Sequence, residues 1–242
     1  MKLLLISNST NPGESYLGWP LHFIDDFLKK NLINNVLFIP YAGVGLSHES
    51  LHSSYDVYEA KVASVLKTVN CDVKSIHNCD DPLAEIAGAQ CIVVGGGNTF
   101  HLVAMMHQTG IMQAISEKVL AGAPFIGWSA GANVACPTLR TTNDMPIIQP
   151  LSFDCLKLVP FQINPHYLDA NPAGHGGETR QQRIEEFMII NRSIPVLGLR
   201  ESSLLEVDGH TMTLKGSKPM RLFRYGAEPV EIEPGSDLSH LL

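Results

Sequence analysis

The chain has 242 residues, 45% of them hydrophobic and 17% charged, enough to build a large core and too apolar for a disordered or fibrous protein. Lysine and arginine number 17 against 24 acidic residues, a formal net charge of -7 without any basic run, so the footprint that nucleic-acid phosphates need is missing. No stretch approaches the ~20 apolar residues of a membrane helix, and the run Leu3 to Ile6 is too short for a secretory signal core, which predicts a cytoplasmic protein without a membrane partner.

From the N-terminus, short apolar runs alternate with longer amphipathic stretches. Leu3 to Ile6 reads as a buried strand. A helical stripe follows at Leu21, Ile24, Phe27 and Leu28, then a second strand at Val36 to Ile39. Val62, Val65, Leu66 and Val69 share the next helix face. Cys91 to Val94 is a third strand, Ile111, Ile115, Val119 and Leu120 a third stripe, and Pro124 to Trp128 a fourth strand. Val196 to Leu199 is a fifth. Runs that are apolar on consecutive positions and bounded by turn formers suit a parallel sheet covered on both faces. The alternation predicts an α/β fold: a doubly wound, mostly parallel sheet with helices on both faces. Beyond residue 200, Ser203 to Val207, the Asp208-Gly209 pair and Thr211 to Leu214 predict an antiparallel hairpin. Two further short strands are expected around Leu222 to Tyr225 and Val230 to Ile232. Without repeats or a linker, one domain over 1–242 is the simplest account. The five cysteines, Cys71, Cys79, Cys91, Cys136 and Cys155, form no C-x-x-C pair and read as free thiols in a reducing compartment, with no structural metal.

Two glycine-bearing turns carry chemistry. Gly127-Trp128-Ser129-Ala130-Gly131 is a G-x-S-x-G pattern between a predicted strand and a predicted helix. There a sharp turn exposes a serine hydroxyl at the carboxyl edge of a sheet, and the helix N-terminus favours developing negative charge. Gly95-Gly96-Gly97-Asn98-Thr99 is a second strand-to-helix turn. Its backbone can approach a ligand closely, and Asn98 or Thr99 can cap the next helix. One of its amides, together with that of Ala130, would make an oxyanion hole. Phosphate binding is disfavoured by the lack of G-x-G-x-x-G or Gly-Lys-Ser/Thr.

A serine needs a base and the base an acid. Of ten histidines, His22, His52, His101 and His107 fall in helical patterns and read as surface or packing residues. His166 follows the extended run Gln162-Ile163-Asn164-Pro165 and is the first choice as base, with His175 next. Asp144, in a polar loop after the serine, and Glu201, just past Val196 to Leu199, are both open as the acid.

Together with these turns, Ser7-Asn8-Ser9-Thr10, Arg140-Thr141-Thr142-Asn143-Asp144-Met145-Pro146 and Gly177-Glu178-Thr179-Arg180 resemble the peptidase E family, α-aspartyl dipeptidases related to cyanophycinase. The likeness runs in order from residue 1 to about 200 and loosens beyond. It implies a fold related to class I glutamine amidotransferases, a Ser-His-Glu order in the chain, and no metal or other cofactor. It implies Ser129 as nucleophile, His166 as base, Glu201 as orienting acid, and oxyanion amides from Gly97 and Ala130. Asp144 then becomes a structural or pocket residue. The implied substrate is a small acidic peptide, with Arg180 first, then Arg140, as carboxylate partners and Asn98 beside it. A β-linked peptide, an ester, or mere binding of an acidic metabolite are the rival uses, and a monomer or homodimer is expected.

Overall fold

The computed structural model describes residues 1–171, 174 and 176–242. Its centre is β1 (Lys2–Ile6), whose Leu3, Leu4, Leu5 and Ile6 are wholly buried. Such a strand shows no apolar/polar alternation because both its faces are covered. Along the chain follow α1 (Leu21–Lys30), β2 (Asn35–Ile39), α2 (Leu51–Leu66), β3 (Asp72–Ser75), α3 (Pro82–Gly88), β4 (Ile92–Val94), α4 (Thr99–Gln108), α5 (Ile111–Leu120), β5 (Phe125–Trp128) and the single turn α6 (Ala130–Asn133). Then come β6 (Gln162–Pro165), α7 (Arg180–Ile190), β7 (Val196–Leu199), β8 (Ser203–Asp208), β9 (Thr211–Gly216), β10 (Met220–Phe223) and β11 (Val230–Ile232).

The strands form a seven-stranded sheet in the order β3-β2-β4-β5-β1-β8-β9. Its first five strands are parallel, and β8 and β9 add the expected hairpin antiparallel to β1, turning at Gly209. Successive residues of β1 face opposite layers. Leu4 and Ile6 pack with α1 and α2 through Ile24, Phe27, Val62 and Leu66. Leu3 and Leu5 pack toward α4 and α5 through Leu102, Ile111, Ile115 and Val119. The Leu120 assigned to this last stripe is instead mostly exposed, since α5 ends there and the chain turns away.

One expectation needs correction. Val196 to Leu199 is a buried strand, but it does not extend the parallel sheet. It lies in a second, four-stranded sheet, β11-β10-β7-β6, parallel to β6 and antiparallel to β10. Leu197, Leu199 and Ile163 join the core beneath the large sheet, while Val196 and Phe223 pack under Ile184 and Met188 of α7. With both faces covered, β7 reads in sequence like any strand of the central sheet. No helix among the described residues is long and apolar enough to cross a membrane.

Candidate active site

β1, β4 and β5 of the large sheet and β6 and β7 of the small one end at one place, and the residues just past their carboxyl ends build the site. Ser129 follows β5 directly, with φ 53° and ψ -112°. A serine pays about 1–3 kcal/mol to hold such a conformation, so its surroundings must impose it. Its amide donates to the Ile6 carbonyl at 2.9 Å, and its carbonyl accepts from Ala132 and Asn133 at 3.0 and 2.9 Å. Gly131 lets the turn sit flat on β4, because a Cβ there would lie 2.1 Å from the Val94 carbonyl oxygen. The Ser129 hydroxyl is thus held at the sheet edge.

His166 follows β6, also at positive φ (52°). Its Nε2 is 3.0 Å from Ser129 Oγ and its Nδ1 is 2.8 Å from Glu201 Oε1. The His166 and Glu201 side chains are 40% and 42% exposed, so solvent reaches this pair. Three contacts hold the two loops in register. The buried Ser7 hydroxyl, just past β1, donates to the Leu199 carbonyl at 2.7 Å and accepts from the His166 amide at 3.0 Å. Asn8 Oδ1 accepts from the Ser202 amide at 2.9 Å, next to Glu201. Arg200 binds Asp169 at 2.6 Å and Glu231 at 2.6 Å, which ties the end of β7 to the loop after His166. These carboxylates push the Arg200 guanidinium well up, and Arg200 holds Asp169 below the usual carboxylate range.

Asp144 does not join this line. Its Oδ2 accepts from the Thr99 amide at 2.7 Å, Thr99 Oγ1 at 2.5 Å and Thr142 Oγ1 at 3.0 Å, so it caps the start of α4. Asn98 is the formal cap of that helix. Its Oδ1 accepts from the His101 amide at 3.0 Å and its Nδ2 donates to the Met145 carbonyl at 2.9 Å. His101 is buried against the Tyr41 carbonyl and His107 bonds the Asp154 carbonyl, so both are packing residues as read. His175, the other histidine weighed as base, lies outside the described residues.

The Ser129 hydroxyl opens into a cleft of about 470 Å³, whose walls include Tyr16, Tyr58, Lys61, Gly96, Asn98 and His166. Gly97 takes φ +136°, and a Cβ there would lie 2.2 Å from the Ala42 carbonyl oxygen, so only glycine fits. Among the described residues, neither the Gly97 nor the Ala130 amide has a backbone acceptor. Tyr58 donates to the Gly96 carbonyl at 2.8 Å and accepts from Trp128 Nε1 at 3.1 Å, which braces the glycine turn against the serine strand. Burial pushes the Tyr58 and Tyr16 hydroxyls up, so both stay neutral.

Arg140 and Arg180 do not line this cleft. They line a neighbouring cavity of about 140 Å³ with Asp144, Asn164 and Arg183. Burial lowers the Arg180 guanidinium from its ordinary value, as does nearby Arg183, while Asp144 raises it. The surface ion pair to Glu178 is made by Arg183, at 3.7 Å. The cation in the cleft itself is Lys61 on α2, over the Tyr16 ring at 4.1 Å. Sequence reasoning passed over Lys61 and gave no role to Ser7, because neither has a local signature.

An α/β scaffold that holds a serine on a strained strand-to-helix turn, a histidine beside it and a carboxylate behind the histidine belongs to the class of hydrolase scaffolds. The comparisons narrow this. Residues 3–215 match the model of Peptidase family S51, and the chain belongs to that family. A protein from Nostoc sp. described as Peptidase E is 45% identical over 241 residues, covering 100% of this chain and 96% of its own. A Streptomyces coelicolor Peptidase E is 46% identical over 243 residues, with coverages of 100% and 95%. In structure, a peptidase from an acI-B1 Actinobacterium superposes with a TM-score of 0.70 at 16% identity, covering 98% of this chain and 96% of its own. A putative Peptidase E from Listeria monocytogenes gives 0.61 at 22%, with coverages of 89% and 98%. These two bear on the fold alone: a mostly parallel mixed sheet with helices.

Proposed function

We propose that this peptidase is a serine dipeptidase that cleaves dipeptides with an N-terminal aspartate. The observation that carries the reading is the unbroken line from Ser129 Oγ to His166 Nε2 at 3.0 Å and from His166 Nδ1 to Glu201 Oε1 at 2.8 Å. In this reading Ser129 attacks the substrate carbonyl as His166 takes its proton. Glu201 keeps the proton of His166 on Nδ1 and steadies the imidazolium. The Gly97 and Ala130 amides receive the oxyanion, since both are free of backbone acceptors. His166 then passes its proton to the leaving amine, and water repeats the sequence on the acyl-enzyme.

A dipeptide with N-terminal aspartate carries two carboxylates. Lys61, inside the cleft, is assigned the C-terminal one, which accounts for a limit to very short peptides. Arg180, half-buried across the loop that holds Asp144, is assigned the aspartate side chain, because a guanidinium grips a carboxylate through two bonds. The five free thiols fit a reducing compartment, which supports reading the protein as cytoplasmic.

The test is hydrolysis of Asp-Leu, isoaspartyl-Leu, Glu-Leu and Ala-Leu with a chelator present. Cleavage of Asp-Leu alone supports the assignment; cleavage of isoaspartyl-Leu in its place moves the substrate to β-linked peptides. Ser129→Ala should lower turnover below about a thousandth of wild type without unfolding the protein, and higher residual activity rules Ser129 out as nucleophile.

A further inference from the structure

Away from the cleft, α2 and the segment after β3 bring together His52, Asp56 and His77, whose ligand-type atoms all lie within 4.8 Å of one another. His52 and Asp56 stand one helical turn apart on the same face of α2. His77 Nε2 is 3.0 Å from Asp56 Oδ1, and His52 Nε2 is 3.9 Å from Asp56 Oδ2. The two imidazole centroids are 5.0 Å apart. Around a tetrahedral zinc ion with bonds of about 2.0–2.1 Å, neighbouring ligand atoms stand roughly 3.3 Å apart. The Asp56 contacts bracket that spacing, so the ligands need only small side-chain rotations to close on an ion.

The surroundings favour a cation. The His77 side chain is only 3% exposed, and its Nδ1 lies 2.6 Å from Ser75 Oγ, a buried hydroxyl 3.5 Å from the Phe38 carbonyl. The Ser75 hydroxyl at Nδ1 fixes the orientation of the ring, which turns Nε2 toward Asp56 Oδ1. The hydrogen bond behind the ring is the outer-shell contact that fixes a metal-binding imidazole. Glu59, which bonds the Ser75 amide at 3.0 Å and Asn78 at 3.1 Å, adds negative charge nearby. No lysine or arginine pairs with Asp56 or Glu59 among the described residues.

We propose that His52, Asp56 and His77 form a site for a divalent transition metal of the zinc type, with a water molecule as fourth ligand. Two imidazoles and one carboxylate suit zinc, nickel or copper rather than magnesium or calcium. None of the three lines the Ser129 cleft, so the ion takes no part in peptide hydrolysis. Its effect is to tie the first turns of α2 to the chain after β3, and α2 further on carries Tyr58 and Lys61 of the cleft wall.

The experiment is calorimetric titration of the tag-free, full-length protein with zinc and, separately, magnesium, alongside His52→Ala, His77→Ala and His166→Ala. The expected result is one zinc site of micromolar affinity, no magnesium binding, and a loss of about tenfold or more in affinity on removing either ligand. Zinc at ~100 times its dissociation constant should also raise the unfolding midpoint by roughly 5 °C, and His52→Ala should abolish the rise. His52 is exposed, so that variant folds even where loss of the buried His77 ring disturbs packing. Absence of zinc binding overturns the proposal. So does zinc binding that survives both substitutions, or that disappears only in His166→Ala, which would place the ion on the catalytic pair.

Discussion

Asp144 and Glu201 compete for one role in the sequence, and the structure gives them opposite phenotypes. Glu201 has His166 as its side-chain partner and is 42% exposed, so Glu201→Ala removes little packing. In the proposed mechanism it removes the interaction with the imidazolium that forms during attack. Two unit charges about 4 Å apart interact by roughly 1 kcal/mol in water and about 4 kcal/mol near a protein surface. A half-exposed pair lies between, at about 1.5–3 kcal/mol, or roughly 10- to 150-fold in kcat/KM. This is well below the ~10⁴-fold loss found where the orienting acid is fully buried. Asp144→Ala instead strips two hydrogen bonds from Thr99 at the start of α4 and a third from Thr142 in its own loop. Losing a charged cap costs about 2–3 kcal/mol, which for a protein of this length lowers the unfolding midpoint by roughly 5–10 °C. Steady-state hydrolysis of Asp-Leu at 25 °C and thermal unfolding of both variants form the assay. Glu201→Ala should keep its midpoint and lose activity; Asp144→Ala should lose stability and keep most activity. An Asp144→Ala protein with an unchanged midpoint and a larger kinetic defect than Glu201→Ala would refute the reasoning.

Ser7→Ala removes the hydroxyl shared by His166 and Leu199 and leaves two buried backbone groups without that partner; kcat should fall about tenfold or more with little change in KM, as measured by initial rates on Asp-Leu. Lys61→Ala should raise KM about tenfold for Asp-Leu and leave Asp-p-nitroanilide, which has no C-terminal carboxylate, unaffected; an equal loss on both substrates would deny Lys61 that assignment. Burial pushes the Cys136 thiol up to about 12 and the Cys71 thiol to about 11. A raised thiol value means less thiolate, about one part in ten thousand for Cys136 at pH 8, so iodoacetamide at that pH should leave peptidase activity intact.

The central strands were legible because burial on both faces writes three or four apolar residues in a row, as in β1, β2 and β4. The same rule hid the second sheet. β7 is buried at all four positions, and nothing in Val196-Leu197-Gly198-Leu199 says whether its neighbour is β1 or β6. β3 was missed for the opposite reason. As an edge strand, Asp72-Val73-Lys74-Ser75 is half solvated and reads as a polar connection.

The site divides along a similar line. Ser129, Gly97 and Asn98 announce themselves because their work is done by local backbone geometry, and a strand-to-helix turn with positive φ leaves glycine and small residues in the sequence. His166 stands out as the first choice after an extended run closed by proline, while Glu201 is separated from Asp144 only by the family likeness, since a glutamate after a strand is common. Ser7 shares in that likeness through Ser7-Asn8-Ser9-Thr10, but nothing local shows what its hydroxyl does. Its two partners lie 159 and 192 residues away, and only the convergence of β1, β6 and β7 makes its hydroxyl a hinge between the chain at His166 and the chain just before Glu201. The same convergence places Ser129, His166 and Glu201 between two sheets rather than within one. Their alignment depends on how the sheets are joined, and near the site the joints include Ser7 with Leu199 and His166, and Asn8 with Ser202. Substitutions at Ser7 or Asn8 should cost catalysis before they cost folding, because the core shared by Leu3, Leu5, Ile163, Leu197 and Leu199 keeps the sheets together while the angle between His166 and Ser129 drifts.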